Sequence, residues 1–302
     1  VADLGAPSDA RPAEGRLTAA PDARLTAAPD ARLTAAPDAR LTAVLSDLRE
    51  ESAELDGLVA ALPDAGWAAP TPAAGWTVAH QIAHLAWTDE SAHRAIVDPE
   101  GFVAAAAVTL ADGNAERFVD AAAADGARLA PPDILARWRA ARDDLAEALA
   151  AGPAGTKIPW FGPPMSTPSL ATARLMETWA HGEDVAAALG VTRAPTARLR
   201  HIAHLGTRTR RFSFLVRGLP APDAEVRVEL TAPGGGLWTF GPEDAPERVT
   251  GPAADFCLLV TRRRHRDDLA VTAEGPGAHR WLDIAQAFAG PPGGDPAPAA
   301  AR

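Results

Sequence analysis

The chain has 302 residues, of which 47% are hydrophobic, enough for two domains of ordinary size each with its own core. A net charge of −10 argues against a nucleic-acid partner, whose recognition rests on cationic neutralisation of phosphates. One cysteine, Cys257, excludes an internal disulfide and any cysteine-based zinc cluster, and no apolar run is long enough to span a bilayer.

Taken in chain order, residues 16 to 39 carry Arg-Leu-Thr-Ala-Ala-Pro-Asp-Ala three times in tandem. A proline every eight residues breaks any continuous helix, and one leucine per repeat cannot build a core. Residues 1–39 are therefore expected to be a disordered leader. From Leu41 to Leu62, apolar positions recur at three and four, the pattern of an amphipathic helix that Pro63 ends. Thr77, after Gly75-Trp76, is a plausible N-cap for a helix running to Val97.

Past Asp98-Pro99 the sequence predicts Ala-rich helix to about Ala124, and Pro131-Pro132-Asp133 starts another to about Ala150. The stretch from Gly152 to Pro168 reads as a loop too proline-rich for regular structure. A helix follows from about Ser169 to Leu189, stopped by Gly190. Four principal helices joined by loops predict an antiparallel bundle over residues 40–192.

Residues 193–290 predict a small α+β domain: a helix at 196–216, a hairpin of Val226–Leu230 and Leu237–Phe240 around Gly234-Gly235-Gly236, a helix at 252–264, a strand at 269–273 and a final helix at 278–288. Residues 291–302 read as a loose tail. No basic-then-apolar leader is present in the sequence given, so cytoplasmic residence is the expectation.

Three residues carry the chemistry. Glu177 and His181, four apart on one helix, project from the same face. With His84 from the helix after Gly75-Trp76-Thr77, they offer two imidazoles and a carboxylate to a divalent ion and leave a coordination position open. Such an ion lowers the pKa of whatever fills that position, so a bound water becomes a hydroxide-like nucleophile and a bound thiol a thiolate. The residues alone do not choose between the two.

The elements Gly75-Trp76-Thr77-x-x-His80-x-x-x-His84-Leu85 and Glu177-x-x-x-His181, with Asp184 behind, resemble the mycothiol-dependent maleylpyruvate isomerase family, within the wider DinB-like metal-binding bundles. The likeness covers roughly residues 41 to 290, and its C-terminal part is similar to a sterol-carrier-like domain. The resemblance implies His84, Glu177 and His181 as metal ligands, with zinc the first expectation and nickel, iron or manganese close behind. It implies mycothiol as a thiol cosubstrate attacking a small electrophile, hence a transferase or isomerase. A monomer or homodimer is the expectation, and charge and hydropathy predict no nucleic-acid or membrane partner.

Other residues follow from the same likeness. His80 either completes a closed four-ligand site or lines the pocket, and the resemblance implies the latter, a cofactor-binding role; Trp160, in the loop before the ligand helix, either walls the same cofactor pocket or packs that loop against the bundle. Arg263 is the positional match for an arginine delivered to the pocket by the C-terminal domain, where a guanidinium holds a substrate carboxylate. Asp184 either orients an imidazole or is a solvated carboxylate past the ligand turn. Cys257, among apolar neighbours, reads as core. Two rival functions stay open: a hydrolase using metal-activated water, and a non-catalytic binding protein with a structural metal.

Overall fold

The computed structural model describes residues 37–110, 115–152, 155–290 and 296–298. All but the last three residues of the octapeptide repeats, and most of the expected leader and tail, lie outside them. Helix α1 (Pro37–Val59) begins two residues before the expected leader ends, and its buried stripe of Val44, Leu45, Leu48, Leu55 and Val59 follows the predicted periodicity. After the single turn α2 (Asp64–Trp67) comes α3 (Val78–Val97), entered at Thr77, whose backbone N–H donates to His80 Nδ1 at 3.3 Å. That reciprocal arrangement is a capping box with histidine in place of the usual Glu or Gln.

The Ala-rich stretch is two helices, α4 (Pro99–Leu110) and α5 (Ala115–Gly126), followed by α6 (Pro131–Ala151). The segment expected to lack regular structure carries a two-residue ladder, β1 (Lys157–Ile158) against β2 (Met165–Ser166), because its prolines sit in the turn and leave the paired residues free to bond. It leads directly into α7 (Thr167–Ala188), where Ser166 Oγ accepts from the Ser169 amide. Gly190 closes α7 at φ 67°, and Val191 N–H reaches back to Ala186 O at 2.8 Å.

Helices α1, α3, α6 and α7 pack on one another, α3 against α6 and α7, α1 against α7 and α6, while α5 lies along α3. Two apolar cores result among the described residues. The smaller gathers Leu55, Ile82, Leu85, Ile134 and Trp138 between α1, α3 and α6. The larger runs without a break from α1 and α7 into the C-terminal sheet, from Leu45 and Leu175 through Ile202 to Phe256 and Trp281.

The single helix expected at 196–216 is split at Thr209 into α8 (Leu199–Arg208) and α9 (Arg210–Leu215). Beyond it, β3 (Val226–Thr231), β4 (Leu237–Phe240), β5 (Glu247–Pro252) and, after α10 (Ala253–Val260), β6 (Thr272–Glu274) form one sheet in the order β4-β3-β5-β6. The β3–β4 and β5–β6 pairs are antiparallel and β3–β5 is parallel. Strand β5 was not expected from sequence. Helix α11 (Pro276–Ile284) follows, and α10 lies between the sheet and α8, where a Cβ on Gly206 would stand 2.9 Å from Val260 Cγ2.

Candidate metal centre

The site lies where α3 meets α7. His84 is on the inner face of α3, 6% exposed, and His181 on the inner face of α7, 8% exposed. Glu177 Oε2 is 3.2 Å from His181 Nε2 and 3.8 Å from His84 Nε2, and the three donor atoms all lie within 4.8 Å of one another. Ligands bonded to one ion at about 2.0–2.2 Å are separated by distances of this order. Glu177 keeps 24% of its side chain exposed, so the centre is open on the carboxylate side.

The protonation states of these groups favour metal binding. Burial, with the positive surroundings of His84 and Arg263 adding to it against the pull of Glu177, lowers the His181 pKa to about 3, so the imidazole is neutral with a lone pair to give at neutral pH. For Glu177, burial works against ionisation, but its contacts with the His181 and His84 imidazoles outweigh it and hold the carboxyl well below the usual carboxylate range.

What fixes the donors was not legible in the sequence. Gln81, fully buried, faces His181 Nδ1 with its Oε1, which leaves Nε2 as the free donor of His181. The Gln81 amide is itself held: its Nε2 donates to Thr71 Oγ1 at 2.9 Å, and that hydroxyl donates to Trp76 O at 3.0 Å. Trp76 stacks on His181 at 6.0 Å between ring centroids and stands 5.3 Å from His84, with its indole N–H donating to Asp120 at 3.0 Å. His84 Nδ1 is buried without a hydrogen-bond partner, an unsatisfied atom on the ring whose other nitrogen points at Glu177. A donor set of this kind, with one imidazole locked by an amide, fits a divalent ion.

The two helices are set in register by a buried tether. Arg174 on α7, 1% exposed, donates through Nε to Asp89 at 2.9 Å and through Nη2 to Thr88 at 2.6 Å, both on α3. On the opposite side Arg193 threads past Gly182, where a Cβ would stand 2.7 Å from its Nη1, to pair with Glu54 at 2.9 Å, Glu183 at 3.3 Å and the fully buried Glu51. Glycine beside His181 is what admits that guanidinium.

The remaining expected residues are placed as follows. His80 stands outside the donor group, its Nδ1 occupied at the α3 N-terminus by Thr77. Trp160 stacks on Phe102 at 5.9 Å and meets Phe161 edge-on, whereas the indoles touching the triad are Trp76 and Trp87. Arg263 reaches α7 from the C-terminal part, but its guanidinium is engaged there: Nε is 3.0 Å from Asp184 Oδ2 and 3.1 Å from Ala180 O, and Nη1 is 2.8 Å from Thr261 O. Asp184 thus serves Arg263. Cys257 is fully buried, and burial pushes its thiol up. His201 pairs with Asp47 and His279 with Arg266.

Against known proteins, residues 48–186 match the model of the mycothiol maleylpyruvate isomerase N-terminal domain, and residues 222–274 match that of wyosine base formation. Two uncharacterized proteins of Mycobacterium tuberculosis, one from strain H37Rv and one from strain CDC 1551, are each 57% identical over 249 residues, covering 82% of this chain and 96% of theirs. The crystal structure of the mycothiol-dependent maleylpyruvate isomerase shares the fold at a TM-score of 0.52 and 16% identity, over 79% of this chain and 95% of that one. A histidine-to-alanine mutant of that enzyme matches equally. With its first motif on α3 and its second on α7 inside the matched region, the chain belongs to the mycothiol maleylpyruvate isomerase family.

Proposed function

We propose that the protein is a metal- and thiol-dependent transferase or isomerase that uses mycothiol against a small electrophile. The observation carrying this reading is the convergence of His84 Nε2 and His181 Nε2 on Glu177 Oε2 with one side left open. A divalent ion there, zinc as first choice, would supply a Lewis acid that favours the thiolate over the thiol. Around it, Gln81 keeps His181 in one tautomer, and Trp76 and Trp87 shield the imidazoles from water. In this reading residues 40–192 form the DinB-like bundle, and residues 193–290 form the sterol-carrier-like part that, through Arg263, closes on the ligand helix beyond His181.

The test is turnover of an electrophile by metal-loaded protein with and without mycothiol. The proposal expects reaction only with the thiol, lost in Glu177→Ala. Thiol-independent turnover would identify a hydrolase instead.

A further inference from the structure

A cavity of about 480 Å³ adjoins the metal centre through one side chain. Its apolar walls are Trp87, Phe118, Ala121, Ala122 and Leu129, and its size is that of small-molecule sites. Trp87 is the shared wall, 5.8 Å from the His84 ring and in edge contact with Phe118 at 5.3 Å. Phe161 extends the aromatic surface, 5.7 Å from Trp87 and 5.1 Å from Phe102. Trp87, Phe118 and Phe161 are each only partly buried, and Leu129 is 44% exposed, so this surface is accessible.

Among the described residues, the charges lining it are already paired. Of the two charged residues lining the cavity, Arg137 is held by both oxygens of Glu90 at 2.6 Å, and Asp125 pairs with Arg128 at 2.6 Å. The two guanidiniums that act on the triad are engaged in the same way, Arg174 by Asp89 and Arg263 by Asp184. A carboxylate entering here would lose water against aromatic rings and meet cations that have partners, an unfavourable exchange. A flat neutral molecule would instead stack on indole and phenyl faces.

We infer that the cavity seats a neutral, flat, apolar electrophile on Trp87 and Phe118, not a dicarboxylate. The inference rests on reading the triad as a thiol-activating centre, but the cavity itself is testable without metal. The probe is N-phenylnaphthylamine, neutral and fluorescent in apolar surroundings, titrated into the full chain, into Ala121→Trp, which fills the cavity from an exposed position, and into Glu177→Ala.

The expected result is saturable binding to the parent, weakened about tenfold or more in Ala121→Trp. Binding should be unchanged in Glu177→Ala and should resist competition by a naphthalene dicarboxylate. Absent binding, binding indifferent to Ala121→Trp, or displacement by the dicarboxylate would overturn it. Metal content, measured on the same Glu177→Ala sample, reports on the triad separately: full metal there contradicts the metal centre while leaving the probe result to judge the cavity.

Discussion

Gln81 and His181, a hundred positions apart, meet in a buried hydrogen bond between the amide oxygen of one and Nδ1 of the other. The bond joins α3 to α7 at the candidate metal centre, and it explains why the imidazole presents Nε2 and not Nδ1 toward Glu177. The two helices are thus coupled through the group that orients His181.

Removing that acceptor should loosen the metal without dismantling the fold. Gln81→Leu is expected to raise the dissociation constant for a divalent ion about 10- to 100-fold. Gln81→Glu, which keeps an acceptor at the same place, should retain tight binding. Competition with a chromophoric chelator measures both, and equal affinity in Gln81→Leu would remove Gln81 from the account.

Arg263 and Asp184 form a nearly buried pair, 18% and 7% exposed, across the contact between α7 and the C-terminal part. Breaking it with Arg263→Gln leaves a carboxylate without its partner and should cost about 3 kcal/mol in chemical denaturation. Adding Asp184→Asn removes the stranded charge, so the double variant should recover part of the loss. Additive losses would show that the two residues do not act as a pair.

His204 predicts a pH dependence of stability. Burial first, then Arg40 and Arg208, lower its pKa to about 4, against about 6.5 for a free imidazole. As pH falls from about 6.5 to about 4, the unfolded chain takes up a proton that the folded chain refuses, so stability drops across that window and levels below it. The melting temperature of His204→Gln should therefore fall less than the parent's between neutral pH and about pH 5, with His181 contributing equally to both. Parallel curves would contradict the assignment.

The parts of the fold governed by local chemistry could be read from the sequence. The Thr77 cap, the Pro131 start and the Gly190 stop each set a helix end within a residue or two of its observed position, because caps act through adjacent backbone groups. The triad residues were legible for a related reason: Glu177 and His181 share a helix face, and His84 sits on a helix with a recognisable entry. Strand β5 was not, since Glu247–Pro252 holds a proline and a glycine and exists by parallel pairing with β3, a partner about twenty residues away. Gln81 was missed because nothing in its neighbours distinguishes it from a surface amide. Only the approach of α7 gives it a role, and the Arg174 tether to Asp89 is invisible for the same cause.

The proposed function requires His84, Glu177 and His181 to grip one divalent ion together. Elemental analysis of the purified chain beside His84→Ala and Glu177→Ala tests it directly. About one divalent ion per parent chain is expected, and less than about a tenth of that in either variant, since two remaining ligands hold such an ion poorly. A folded parent that cannot be loaded, or variants that keep full metal content, would contradict it.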